Sequence, residues 1–192
     1  MLWVILVIAI LIIFYFLIIK SKKNEQLGYR QNVFEELERV GFITDKEIPL
    51  HFGDSYLVVD DHNKRWSYFN VKEPMPVLRS FDCITGYEIY EDGNSVAKGK
   101  AGQALVGGLL FGVAGAVVAG SGSKKQKNTC TSLQVRITLN DLHRPEIVIP
   151  LLENTEIPKD SPGYRGGIET AKEIVAVLSY MVNNSERINS QN

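Results

Sequence analysis

The chain has 192 residues, and its 21 Lys and Arg stand against 22 Asp and Glu, for a formal charge of −1. Neutralising nucleic-acid phosphates takes a basic excess, so a broad nucleic-acid surface is excluded. The length suits one modest domain plus short additional elements, and Cys83 and Cys130 lack CxxC or Cys/His spacing for zinc.

Leu2 to Ile19 reads LWVILVIAILIIFYFLII, an unbroken apolar run. Eighteen residues at ~1.5 Å each make about 27 Å of helix, close to a hydrocarbon core of ~30 Å, so the run is expected to be a transmembrane anchor over 1–20. No basic segment precedes it and no small-residue cleavage site follows, which argues against a cleaved signal peptide. Lys20, Lys22, Lys23 and Arg30 come after the run. By the positive-inside rule the protein is expected in the cell membrane, with its amino terminus outside and its main domain cytoplasmic. In that compartment both cysteines are expected reduced.

Segment 21–41 reads as a basic juxtamembrane stretch and a short amphipathic helix opening at Asn24 or Glu25. Val33, Phe34, Leu37 and Val40 share one face, and Gly41 ends the helix. Two heptads are too few for a coiled coil, so the helix is expected to dock on its own domain.

From Phe42 the pattern changes to short β-like runs within one domain, 42–182. Tyr56–Val59 and Arg65–Phe69 flank the turn Asp60-Asp61-His62-Asn63-Lys64 and read as a hairpin. Pro74 and Pro76 interrupt the next stretch, leaving Val77–Arg79 as a short edge piece. Gly86–Glu91 turns at Asp92-Gly93-Asn94 into Ser95–Lys98. Leu133–Leu139 alternates strictly, and Asn140-Asp141 turns it into Glu146–Ile149. Ser161-Pro162 is an N-cap followed by a first-turn proline. Ile168, Ala171, Ile174, Val175, Leu178, Met181 and Val182 then fall at helical spacing, ahead of a polar tail, 183–192.

Within this domain, 101–120 reads AGQALVGGLLFGVAGAVVAG and contains no charge. Ala104, Gly108, Gly112, Ala116 and Gly120 recur every fourth residue and form a glycine zipper, whose small residues let helix backbones approach closely in lipid. A flexible linker would not carry so many Leu, Val and Phe. Strands on both sides belong to one domain, and a straight twenty-residue helix would hold its ends about 30 Å apart. The expected form is therefore a re-entrant or interfacial helical hairpin, shielded by the anchor helix. Lys98 and Lys100 before it and Lys124, Lys125 and Lys127 after it, with Lys20, Lys22 and Lys23, are expected to face anionic headgroups.

The fold class expected is α+β: an anchor helix, about seven short strands, an inserted zipper hairpin and a carboxy-terminal amphipathic helix. About seven strands closed by one helix is the element order of a pleckstrin-homology-like (PH-like) barrel. The blocks YEIYEDG, GGLLFGVAGAVVAG and SLQVRITLND, in that order, resemble bacterial and phage-encoded membrane-associated proteins in which a Gly-rich segment interrupts a small β-rich domain. The resemblance covers Phe81 to Val182 and implies organisation, not chemistry.

Catalytic signals are weak. Gly99-Lys100 does not complete a phosphate loop GxxxxGK[ST], because Asn94 stands in place of the first glycine and Ala101 follows the lysine. His51, Asp54, Asp60, Asp61 and His62 match no closed zinc pattern and suit ordinary turns, and no GxSxG elbow is present. The expectation is a non-enzymatic protein without cofactor or metal. Its partners are the lipid bilayer, further copies of itself through the zipper, and a protein not identifiable from sequence. A pore-forming effector is the alternative, and an anchored hydrolase using His51 or Asp54 is the lesser one.

Overall fold

The computed structural model describes residues 2–50, 54–70, 76–100, 103–106, 128–153 and 156–189. It divides into two units, Met1–Leu78 and Arg79–Asn192. The fold is α+β with antiparallel sheets.

The first unit opens with α1, Leu2–Arg39, a single helix of 38 residues. This overturns the expected separate transmembrane anchor over 1–20. Among the described residues no helix is long and apolar enough to cross a membrane. The local reason for one helix is that Lys20-Ser21-Lys22-Lys23-Asn24-Glu25 contains neither proline nor glycine, so nothing stops helix propagation there. The apolar run is thus the first part of a longer element, and Trp3, Val7, Ile10–Tyr15 and Leu17 on it are exposed.

The second part of α1 has a packed face. Val33 and Leu37 form a core cluster with Phe42, Tyr56, Val58 and Phe69, flanked by Tyr29, Phe34 and Leu78. The strands beneath are β1 (Lys46–Leu50), β2 (Ser55–Asp60) and β3 (Arg65–Asn70), each antiparallel to the next. Phe34 meets Tyr56 and Phe69 edge-on, each at 6.1 Å between ring centroids. Arg30 binds Glu47 through one guanidinium nitrogen at 3.0 and 2.9 Å and lies 4.5 Å from the Phe34 ring centroid. Tyr29 Oη donates to the Asn70 carbonyl at 2.6 Å, tying α1 to the end of β3.

The expected hairpin across Asp60–Lys64 forms, and the first residue of its turn is buried. Asp60 accepts from the Ile43 amide at 3.1 Å, the Asn63 amide and side chain at 2.9 and 2.8 Å, and Arg65 Nη2 at 2.9 Å. Asp45 receives the Asp61 amide at 2.7 Å, and the Asp61 carboxylate pairs with Lys64 at 2.7 Å, so the turn is held by acidic side chains on both of its flanks.

The second unit contains β4 (Arg79–Ser80), a 3-10 turn (Phe81–Cys83), β5 (Ile84–Glu91), β6 (Asn94–Lys100), β7 (Gln103–Val106) and β8 (Thr129–Cys130). These are followed by β9 (Leu133–Leu139), β10 (Glu146–Leu152), β11 (Ile157–Pro158) and α2 (Pro162–Asn189). Five strands pair in the order β10-β9-β5-β6-β7, and β8 pairs with β11. The strict alternation read in Leu133–Leu139 is realised: Leu133, Val135, Ile137 and Leu139 are buried. α2 packs against β5, β9, β10 and the 3-10 turn, and all seven residues of its expected apolar face are buried. Gly167 permits this approach, since a Cβ there would lie 3.2 Å from Leu133 and 3.3 Å from Leu152.

The expected count of about seven strands is too low, because the described residues form eleven. β4, β8 and β11 are two residues each, too short for any periodicity to register. β1 carries Pro49, tolerated because β1 has only β2 beside it in the ladder. The helical hairpin expected over 101–120 is corrected at its start, where Gln103–Val106 is strand. The remainder of that segment lies outside the described residues.

Candidate functional site

The site of interest is where the glycine-rich insertion joins the second sheet. β5 runs toward Glu91, β6 runs back from Asn94, and β7 turns again so that Val106 lies beside Lys98, itself opposite Glu88. β9 is antiparallel to β5, and its first residue, Leu133, lies opposite Glu91. The chain therefore leaves β7 and returns to β9 heading from and to the same end of the sheet. The two strands are three spacings apart, about 14 Å at ~4.8 Å each.

The outgoing limb is held through β6. Lys98 pairs with Glu88, and Arg136 from β9 covers the Tyr90 ring at 4.3 Å. Burial alone would raise the Glu88 carboxyl, yet hydrogen bonds from Lys98, Ser95 and Tyr90 outweigh it and hold the pKa below its ordinary value. Gly99, opposite Tyr87, has no room for a side chain because the buried Tyr87 ring lies over it.

The returning limb is held at Asp92, whose φ of 48° is in the left-handed region. Its Oδ1 accepts from the Thr131 amide at 2.8 Å, Thr131 Oγ1 at 2.8 Å and the Ser132 amide at 3.0 Å, while its own amide donates to the Ser132 carbonyl at 3.0 Å. The neighbouring Glu91 pairs with Lys159 and accepts from Tyr164 Oη at 2.7 Å. Burial, and then the bond to Glu91, push the Tyr164 phenol well above its ordinary value, so it stays a donor. The Lys159 amide donates to the Asn128 carbonyl at 2.9 Å, extending the β8–β11 pairing.

A family model described as a glycine zipper containing PH domain matches residues 44–153, more than half of the chain. The chain belongs to this family. No curated protein and no solved structure matches it. The match runs from just before β1 through β10, so the strands on both sides of the insertion belong to the family's domain. The membership supports the PH-like and glycine-zipper expectations together.

Of the zipper residues, Ala104 stands in β7, whereas Gly108, Gly112, Ala116 and Gly120 lie outside the described residues. Lys124, Lys125 and Lys127 also lie outside them. Lys20 is exposed on α1, Lys22 and Lys23 are on the same helix, and Lys100 ends β6. Lys98 is not a free surface cation, since Glu88 holds it. His51 lies outside the described residues, and Asp54 is partly buried just ahead of β2. Among the described residues no group of three or more His, Cys, Asp or Glu is placed to hold a metal.

Sequence reasoning missed Glu91, Asp92, Lys159 and Tyr164 as one group. The Asp92-Gly93 turn is legible, but its partners at Thr131 and Tyr164 lie 39 residues from Asp92 and 73 from Glu91.

Cys130 sits beneath this group, fully buried, with its thiol donating to the Ser132 carbonyl at 3.3 Å. Burial, then the Asp92 and Glu91 charges, push the thiol up to about 11 from 9.0. A rise of about two units cuts the reactive thiolate roughly a hundredfold. Maleimide at pH 8 should therefore modify native Cys130 at least about a hundredfold more slowly than in denaturant, where the thiol titrates normally. Equal rates in the two conditions would show that the thiol is not enclosed.

Proposed function

We propose that the protein is a non-enzymatic, membrane-associated member of the glycine-zipper PH family. Its insertion enters the bilayer or pairs with another copy, while the β-rich domain binds a lipid or protein partner. The observation that carries this reading is the strand register: β7 heads toward the end of the sheet at which β9 begins, so the insertion can enter an apolar phase without dividing the domain. The uncharged composition of 101–120 and its four-residue repeat of small side chains favour close helix packing in lipid. The lysines at 124, 125 and 127 would add attraction to anionic headgroups, about 1 kcal/mol each near the surface.

The test is co-sedimentation of the full-length protein with phosphatidylserine-containing vesicles, combined with its oligomer size in mild detergent. Gly108→Leu and Gly112→Leu place a large side chain on the small stripe and should lower the bound fraction, the oligomer size or both. Unchanged values of both would remove the proposal. Release of an entrapped dye at the same protein concentration would instead mark a pore-forming effector.

A further inference from the structure

We propose that Glu91 and Asp92 act as one clasp that couples the returning limb of the insertion to the first turn of α2, leaving the central β5–β9 pairing out of the connection. The two residues are adjacent at the end of β5, yet their carboxylates serve different elements. Asp92 holds Thr131 and Ser132 through three bonds to one oxygen. Glu91 holds Lys159, which follows β11, and Tyr164, in the first turn of α2.

The coupling follows from geometry. Asp92 has a left-handed φ of 48° and Gly93 one of 79°, the pair of positive values that a two-residue hairpin turn requires, so the tight turn fixes the Asp92 backbone. Fixing Glu91 between Lys159 and Tyr164 fixes the peptide that joins it to Asp92, and so the direction from which the Asp92 carboxylate meets Thr131 and Ser132. Displacing 131–132 pulls on the same peptide and is transmitted to Tyr164. The first turn of α2 can receive the displacement because its backbone is tied locally. The Tyr164 amide donates to Ser161 Oγ at 3.3 Å, Ser161 Oγ to the Pro158 carbonyl at 2.6 Å, and the Arg165 amide to the Ser161 carbonyl at 3.1 Å. β9, by contrast, is held along its length by β5 and β10, so a local change at its entrance does not open it. The inference concerns this attachment alone and does not depend on what the insertion does.

Residue-resolved amide hydrogen exchange on the full-length protein tests it. Tyr164→Phe removes one hydroxyl and keeps the fold, and Lys159→Met removes the ion pair without touching Tyr164. Each should speed exchange of the Thr131 and Ser132 amides by about tenfold while leaving Val135 and Ile137 unchanged. Coupling is reciprocal, so Asp92→Asn should speed exchange of the Arg165 amide in turn. Faster exchange confined to α2 in Tyr164→Phe and Lys159→Met, with 131–132 unmoved, would make these two independent contacts and overturn the proposal. An equal rise at Val135 and Ile137 would overturn it as well, by showing global loosening.

Discussion

Asp60→Ala should destabilise the first unit by about 3 kcal/mol or more, the range expected when one partner of a buried, hydrogen-bonded charge pair is removed. The Asp60 side chain is fully buried, and four donors converge on it. Its loss strands the Ile43 and Asn63 amides and leaves Arg65 with one carbonyl, that of Gly41 at 2.7 Å, as its close remaining partner. Arg65 Nε is already buried without a hydrogen bond, so the loss adds to a donor that is unsatisfied from the start. Urea unfolding of the variant, with the midpoint and slope compared separately, checks the figure. Asp60→Asn keeps an acceptor but not the charge, and should fall between wild type and Asp60→Ala.

The same carboxylate sets an acid limit. Burial would raise its pKa, but hydrogen bonds from the Asn63 side chain and amide, Arg65 and the Ile43 amide outweigh burial and lower it from its ordinary 3.8. A carboxyl whose folded pKa is depressed stabilises the fold above the unfolded value, and that contribution is lost as pH falls from 3.8 through the lower folded value. The acid-induced loss should therefore be smaller in Asp60→Asn than in wild type. Identical pH profiles below pH 4 would mean that Asp60 is not ionised in the native state.

Gly99→Val is expected to have the second large effect, about 3 kcal/mol, at the upper end of overpacking penalties. The Gly99 φ is not left-handed, so its backbone would accept a side chain, and the obstacle is space. A Cβ there would stand 2.5 Å from Tyr87 Cζ and 2.7 Å from Oη. The ring is rigid and 2 % exposed, so it cannot swing into solvent without vacating the core. Tyr87→Ala alone should also be costly, by roughly 3–5 kcal/mol, because it leaves a cavity. The double variant should lose clearly less than the sum, since the new valine occupies space the ring has left. Additive losses in thermal or urea unfolding would place the ring elsewhere.

These effects give the glycine at 99 its physical reason. Gly99-Lys100 does not complete a phosphate loop, and Gly99 is small because the tyrosine opposite it needs the room. Asp60, Asp61 and His62 are the hairpin turn expected of them, but Asp60 is folded inward onto amides from two directions.

What the sequence by itself determined is what depends on residues within one or two turns of each other: the alternation of β9, the buried face of α2, the hairpins at Asp60–Lys64 and Asp92-Gly93, and the presence of a glycine zipper within a PH-like domain. Periodicity and turn propensity are local, so they survive in a one-dimensional reading. Tertiary structure alone decided three other points. Gln103–Val106 has the composition of the zipper but pairs with β6, because an available ladder of backbone donors outweighs the weak helix preference of so short a stretch. The apolar run at 2–19 continues into the charged amphipathic segment as one helix, since helix propagation stops only at a breaker or a cap. The clasp at Glu91 and Asp92 joins groups up to 73 residues apart, and no local pattern records which distant donor a carboxylate will meet once the sheet has closed.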